Sequence, residues 1–357
     1  MISSLRLQNF RSYTDDSFEF DNGVNIIVGP NASGKTNLLE AILVVCRGGS
    51  YRAHDTELIQ FDQPWARLDV TNEEGEQRVV KIIGQPTGKT EKEFSVDNHT
   101  FKRLSLQRTL PTVLFEPNHL RLLGGSPERR RDYLDGLLEQ LTPGFSTLRR
   151  QYRRALVQRN SLLKQGRKAG DQLFAWNIRL SELGGQLALD RMHLVEKLNH
   201  QLSQSYSRLA QRDTKVDLSY QTSVSQDQYS SDMLYKLELS QEQDLERGFT
   251  TYGPHRDDMS ISLNDHAAQE TASRGETRTL LLALKLSELT LLELQRGQPP
   301  LLLLDDVFSE LDGARRRALT EVLQTHQTFI TTTDADVVIQ HFTEACNIIA
   351  LNTTPSR

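Results

Sequence analysis

Cysteine is nearly missing from this chain. The two present, Cys46 and Cys346, stand far apart and neither belongs to a CxxC pair. That excludes a disulfide framework and a cysteine zinc site, and it suits a reducing, cytoplasmic compartment. Long apolar runs are also lacking. Stretches such as Ala41–Cys46 fall far short of the roughly 18 residues that span a bilayer, and no signal-peptide pattern opens the chain. Nor is there an excess of positive charge. Lys and Arg number 42 against 47 Asp and Glu, net −5, so a polyanionic partner must meet a local basic patch. What is present supports packed cores: 37% apolar residues over 357 positions, a length that suits two or three units.

The first 28 residues alternate like strands and end in the apolar Val24-Asn25-Ile26-Ile27-Val28 before a glycine turn. Thr36–Cys46 carries apolar residues on more than one face and predicts a helix buried against a sheet. Trp65–Ile83 alternates about Asn72-Glu73-Glu74-Gly75 and predicts a hairpin. From about Glu128 to Gln211 the texture is helical, with interruptions expected at Pro143-Gly144, Gly166, Gly170 and Gly184-Gly185. Gln221–Asp232 is polar and predicts a loop. A helix near Tyr235–Arg247, a strand pair near Met259–Leu263, a helix from Glu276 to Glu293 and the strand Leu301–Leu304 follow, so a parallel sheet is expected to resume. The fold class predicted is α/β. The expected division is a discontinuous domain, 1–125 and 250–357, interrupted by a helical lobe, 126–249.

Gly29-Pro30-Asn31-Ala32-Ser33-Gly34-Lys35-Thr36 fits GxxxxGK[ST] between a strand and a helix. In that setting backbone N–H groups curl round a phosphate, Lys35 reaches the β and γ oxygens, and the Thr36 hydroxyl serves Mg²⁺. A glycine-rich turn arising by chance is the plain alternative, and the flanking strand and helix weigh against it. The buried strand Leu301–Leu304 ends in Asp305-Asp306. Asp305 is the candidate metal acid and Asp306 the group that orients or deprotonates the attacking water. Since the loop and the acids lie at opposite ends of the chain, the middle reads as an insertion. Ser273-Arg274-Gly275-Glu276 opens a leucine-rich helix. It can present a hydroxyl and N–H groups to a second phosphate, that of the other subunit in a head-to-head dimer; taken alone, it is an ordinary N-cap in capping-box spacing.

This order of motifs resembles the ABC-type ATPase head of the SMC kind. Further strings narrow the resemblance to the bacterial RecF family: Asn9-Phe10-Arg11-Ser12-Tyr13, GPNASGKTNLLEAI at 29–42, Gly125-Ser126-Pro127 with Arg129–Asp135, Gln158-Arg159-Asn160, Tyr252–Asp258, and LLLLDDVFSELD at 301–312. The resemblance implies a P-loop head with an inserted helical lobe. It also implies a weak, Mg²⁺-dependent, DNA-stimulated ATPase of DNA repair and replication that binds gapped, single- and double-stranded DNA. ATP would drive homodimerisation into a clamp, and RecR and RecO would be its partners in loading RecA. By motif, Gly29–Thr36 would bind ATP, Thr36 and Asp305 Mg²⁺, Asp306 would be the catalytic acid, Ser273–Glu276 the signature acting in trans, and Asp312 part of the dimer-contact loop. Arg11 would touch a phosphate or merely flank a hairpin. Glu276 departs from the usual Gln, Pro117-Asn118-His119-Leu120 from the family's PEDL, and Thr331-Thr332-Thr333 stands where a switch histidine is usual.

Residues 140–170 hold no Asp or Glu but do hold Arg149, Arg150, Arg153, Arg154, Arg159, Lys164, Arg167 and Lys168. Arg149, Arg150, Arg153 and Arg154 are the candidate DNA-phosphate contacts, on helical spacing that reads as one face. Arginines paired with acids elsewhere are an even alternative. No zinc finger, recognition helix or RNP string is present, so sequence-specific readout is not expected. Two other functional classes use the same head motifs: the cytosolic ATPase of a membrane transporter, which has no basic arm of this kind, and a P-loop kinase with the lobe as substrate lid.

Overall fold

A computed structural model of the chain describes residues 1–166, 170–308, 311–340, 342 and 346–351. In chain order the strands are β1 (Ile2–Phe10), β2 (Tyr13–Glu19), β3 (Val24–Val28), β4 (Trp65–Asn72), β5 (Gln77–Gly84), β6 (Thr90–Val96), β7 (His99–Phe101), β8 (Thr112–Phe115), β9 (Val216–Gln221), β10 (Asp258–Leu263), β11 (His266–Ala267), β12 (Leu301–Asp305), β13 (Thr328–Thr332) and β14 (Asn347–Ala350). The helices are α1 (Lys35–Arg47), α2 (Asp55–Leu58), α3 (Arg121–Gly124), α4 (Pro127–Leu141), α5 (Phe145–Gln165), α6 (Gly170–Ala210), α7 (Tyr229–Leu239), α8 (Gln241–Arg247), α9 (Ala268–Thr271), α10 (Arg274–Arg296), α11 (Gly313–Leu323) and α12 (Asp336–Ile339).

Two compact units emerge, one of residues 1–119 with 292–357, the other of residues 120–291. The first contains an antiparallel sheet in the order β2-β1-β4-β5-β6-β7 and a wholly parallel sheet in the order β14-β3-β13-β12-β8. Its strands come from both ends of the sequence, β3 and β8 before residues 120–291 and β12, β13 and β14 after them. The four leucines of β12 lie between β13 and β8 and are all buried, which is why that strand shows no alternation. α1 buries every residue from Leu38 to Cys46 in a core shared by both sheets, with Leu5, Leu68 and Ile82 on one side and Leu303 and Phe329 on the other. Hence its apolar residues occupy more than one face.

The second unit begins and ends elsewhere than the expected lobe, 126–249. The cause lies in pairing: β9 runs antiparallel to β10, Leu218 opposite Ile261. Arg130 on α4, itself buried, donates Nε and Nη2 to the two oxygens of Asp258 at 2.7 and 2.8 Å. These ties draw residues 250–291 into the unit. Within the polar stretch 221–232 the chain already turns helical at Tyr229, because Tyr229 is buried and donates its hydroxyl to Asp257 at 2.6 Å. Arg159, expected on a basic surface, is wholly buried: Nη1 donates to Asp244 Oδ2 at 2.7 Å and to Thr250 Oγ1 at 2.8 Å, and Nε donates to Asn177 Oδ1 at 2.7 Å. His255 accepts or donates within the same interior, Nδ1 lying 2.7 Å from the Tyr152 hydroxyl and Nε2 3.1 Å from the Thr250 carbonyl; burial pushes its pKa down to about 4.

Gly184-Gly185 does not interrupt the helix. α6 runs through it, and the glycines serve close packing instead. A Cβ at Gly185 would lie 1.8 Å from Ser230 Oγ and 3.0 Å from Ser230 Cβ, and one at Gly184 would lie 2.8 Å from Met233 Sδ. The hydroxyl can rotate away, but the Cβ cannot. Gly185→Ala would gain about 1 kcal/mol of helix propensity, yet overpacking costs about 1–3 kcal/mol. The variant is therefore expected to have a lower urea midpoint than the parent chain. An equal or higher midpoint would mean that α7 retreats freely.

Candidate nucleotide-binding site

β3, β13 and β12 run in parallel and finish together: Val28 is in register with Thr332, and Thr331 with Asp305. The carboxyl edge of a parallel sheet is where loops diverge and leave a crevice. Gly29–Gly34 leaves that edge from β3 and delivers the chain into α1. Gly34 has φ +100°, and a Cβ there would meet the Tyr13 hydroxyl at 2.9 Å, so only glycine suits the position. Tyr13 Oη donates to the Gly34 carbonyl at 3.1 Å and fixes the turn.

The loop's polar groups have the character of an anion site. Lys35 is buried, and its Nζ donates to the Gly29 and Pro30 carbonyls at 2.6 and 2.9 Å. Ser33 Oγ is buried and has no hydrogen-bond partner among the described residues. A buried hydroxyl without a partner is costly, and phosphate oxygens at the loop would satisfy it. The residues thus fit a nucleoside triphosphate.

Thr36 and Asp305 come together as the motifs predicted. Thr36 Oγ1 donates to Asp305 Oδ1 at 3.0 Å. The same oxygen accepts from Thr331 Oγ1 at 2.9 Å, and Thr331 Oγ1 accepts from the Asp306 amide at 2.9 Å. Asp306 has φ 54°, a left-handed conformation that Asp tolerates better than most residues. Tyr51 Oη lies 3.5 Å from Asp305 Oδ2; burial first and the Asp305 charge second push its pKa up. Among the described residues no group of three His, Cys, Asp or Glu side chains is placed to hold a metal. One hydroxyl and one carboxylate are what Mg²⁺ takes when phosphate oxygens and water complete its shell.

Arg11 is occupied otherwise than by a phosphate. Its Nε and Nη2 donate to Glu40 Oε2 and Oε1 at 2.9 and 3.0 Å. Glu40 sits on α1 with its side chain fully buried and also accepts from Arg52 Nη2 at 3.0 Å and Ser50 Oγ at 2.5 Å. Burial by itself would raise this carboxyl, but the bonds from Arg11, Arg52 and Ser50 outweigh it and hold Glu40 below the usual range. The sequence reading passed over Glu40, Tyr51 and Arg52. For Glu40 there was a clue, a lone acid inside an apolar helix.

In the second unit Ser273 is exposed at the start of α10 and forms the capping box: Ser273 N and Oγ donate to Glu276 Oε2 at 2.9 and 2.8 Å, and Glu276 N donates to Ser273 Oγ at 3.2 Å. Arg212 pairs with Glu276 as well. Bonds from the Ser273 amide and hydroxyl, then Arg212, keep the Glu276 carboxyl below its ordinary pKa. Arg274 is exposed beside it, and the Gly275 carbonyl accepts from Thr279 Oγ1 at 3.0 Å. Asp312 N-caps α11, its Oδ1 accepting from the Arg315 amide at 3.0 Å; Ser309 and Glu310 lie outside the described residues.

The RecF/RecN/SMC N terminal domain family matches residues 1–354. The DNA replication and repair protein RecF of Heliobacterium modesticaldum is 35% identical over 343 residues, 93% of this chain and 92% of that one. That of Tropheryma whipplei is 36% identical over 348 residues, 94% and 92% of the two chains. The chain belongs to the RecF family. A solved structure of the recombination mediator protein RecF with ATPrS in the RecFOR pathway superposes with a TM-score of 0.87 at 31% identity, covering 99% of this chain and 97% of that chain. The Smc head domain of Pyrococcus furiosus, at 15% identity and a TM-score of 0.53, shares the fold. The fold of this RecF-family chain is therefore that of a P-loop, SMC-like ATPase head. No helix among its described residues is long and apolar enough to cross a membrane.

The four arginines expected to contact DNA do not share one environment. At 100° per residue, Arg149 and Arg154 stand well over a quarter turn apart. Arg149 turns to α4, where Asp132, Asp135 and Glu139 accept from it at 2.7, 2.9 and 3.1 Å. Arg150 donates to Thr147 Oγ1 at 3.3 Å, while Arg153 and Arg154 are exposed. Arg167 and Lys168 lie outside the described residues.

Glu40 yields a test with a defined sign. Its folded-state pKa lies below the ordinary 4.5, so its ionic bonds stabilise fully above that pH and are lost as pH falls through the lowered value. Glu40→Gln is expected to cost about 1–3 kcal/mol at pH 7. In urea titrations the gap between variant and parent should close below pH 4.5. A gap constant from neutral to acid pH would contradict the assignment.

Proposed function

We propose that the chain is an ATP-gated, DNA-binding ATPase of recombinational repair. In this reading two heads close on two ATP molecules into a homodimer clamp on gapped, single- or double-stranded DNA, and the clamp assists RecR and RecO in loading RecA. The observation that carries it is the 3.0 Å bond between Thr36 and Asp305, which unites the phosphate loop with the acidic strand from the other end of the chain. Support comes also from relatives named for DNA replication and repair and from a RecF solved with an ATP analogue.

The residues take the following parts. The amides of Gly29, Pro30, Asn31, Ala32, Ser33, Gly34 and Lys35 that carry hydrogen surround the β-phosphate, and Lys35 exchanges its loop carbonyls for phosphate oxygens. Thr36 and Asp305 hold Mg²⁺, which when bound supplies neutralisation of phosphate charge. Asp306 takes the proton of the attacking water, and the Thr331 hydroxyl, held between Asp305 and the Asp306 amide, keeps the two acids apart in the place of a switch histidine. Arg11 reaches a phosphate only by giving up Glu40. Ser273, Arg274, Gly275 and Glu276 meet the γ-phosphate of the other subunit, with Asp312 beside the dimer contact. A carboxylate at 276, where Gln is usual, repels that phosphate and keeps the closed dimer short of irreversible. Hydrolysis resets the clamp, so turnover is slow and DNA-stimulated, and the setting is cytoplasmic.

Sedimentation velocity decides the central step. The parent chain should dimerise on adding ATP and Mg²⁺. Lys35→Arg should stay monomeric, and Ser273→Arg should bind ATP yet stay monomeric. A parent that remains monomeric at saturating ATP would overturn the clamp.

A further inference from the structure

The solvent-facing side of α5 and the segment that precedes Arg256 form a second chemical surface in the 120–291 unit. Arg153, Arg154 and Lys164 are exposed there and have no ion-pair partner among the described residues. Lys164 runs against Gly248, its Cγ 3.5 Å from where a Cβ would stand. Next comes Phe249, an aromatic ring left 40% exposed, with the Arg256 guanidinium 5.0 Å from its centroid.

This pair is built into the fold. Asn160 Oδ1 on α5 accepts from both the amide and the hydroxyl of Thr250, at 2.9 and 2.7 Å. The Thr250 carbonyl accepts from Arg256 Nε and Nη2 at 3.3 and 3.2 Å. The guanidinium is thereby held beside the ring, and both are tied to the helix that carries Arg153 and Arg154. Asn160 lies two turns beyond Arg153, about 10 Å along the axis. α8, which adjoins the segment, contributes acidic Glu242 and Glu246 and basic Arg247, so the surface stays net positive. A partly exposed ring with a guanidinium over it, beside arginines without an ion-pair partner among the described residues, suits a strand whose bases are free to stack and whose phosphates lie within reach of cations. A duplex hides its base faces and has no use for the ring.

We propose that Phe249 and Arg256 form a stacking platform for an unpaired base of single-stranded DNA, whose backbone follows Arg153, Arg154 and Lys164 along α5. This rests on the DNA-binding reading above and adds the strand type and the residues that select it. Neither group belongs to the nucleotide site.

The test is fluorescence anisotropy on the full chain with ATP and Mg²⁺, using oligothymidylate and a blunt duplex of equal length at several salt concentrations. Phe249→Ala should weaken oligothymidylate binding roughly 5- to 150-fold and leave duplex binding unchanged. Phe249→Tyr should restore it, which separates stacking from a folding defect. The double variant Arg153→Ala, Arg154→Ala should lower the single-strand salt slope by about 1.4. If Phe249→Ala binds oligothymidylate like the parent, or loses both DNAs alike, the platform is wrong while DNA binding stands. If polyglutamate of equal charge displaces the oligonucleotide as well as DNA does, the surface is a general anion patch and the platform fails. A parent chain that binds neither DNA would remove the underlying reading itself.

Discussion

The contact on which the active edge depends is the hydrogen bond from Thr36 to Asp305, reinforced by Thr331. Three stretches of chain meet in it: the start of α1, the end of β12 and the end of β13. β13 lies between β3 and β12 in the sheet, so Thr331, its last residue but one, touches the acid from the neighbouring strand while Thr36 touches it from the first turn of α1. A one-residue slip of β12 against β13 would turn Asp305 to the opposite face, because strand side chains alternate. A slip that drew Asp305 into the buried position of Leu304 would take its carboxylate out of water, and that cost opposes it.

Handling of negative charge is the second theme. An anion site surrounded by carboxylates is unfavourable unless each acid is answered. Asp305 is answered by the Thr36 and Thr331 hydroxyls, and Glu40 by two guanidinium groups and a hydroxyl; within the other unit Glu276 has its own partners, a capping box and Arg212. Glu40 has the most consequence, since it lies inside α1 itself and fixes Arg11 and Arg52 beside the helix that begins at the phosphate loop. The P-loop helix is thus held by the apolar core along its length and by an ionic cluster near its first turns.

The second unit keeps its polar interior by the same rule. Arg159 meets Asp244, Arg191 meets Asp135 with two bonds, and Asp257 accepts from Tyr220 and Tyr229. Buried charges removed from water need such partners, and losing one member leaves the other exposed to the full desolvation cost. Because α5 spends Arg149 and Arg159 on these interior and flanking pairs, only its outward arginines remain for other partners. The basic stretch in the sequence is therefore smaller as a surface than as a count.

Short local patterns carried much of the architecture. The strand, glycine loop and helix of 24–46, the hairpin about Asn72–Gly75 and the apolar strand ending in two acids each declare themselves within one short continuous stretch, because their physics is local: turn conformation, side-chain period, and orphan N–H groups at a helix start. β8, four residues long, is too short to show a period, and β9 hid in a polar context. Packing decided the rest. Gly184-Gly185 reads as a helix break until Ser230 is seen against it; Arg149 reads as a surface charge until α4 supplies three carboxylates; Thr331 reads as one threonine in a row until its hydroxyl is found between two aspartates. A residue's neighbours in the chain are written in the sequence, whereas the group opposite it is set by how elements far apart in sequence come together. Burial, pairing and charge are all properties of that second neighbour.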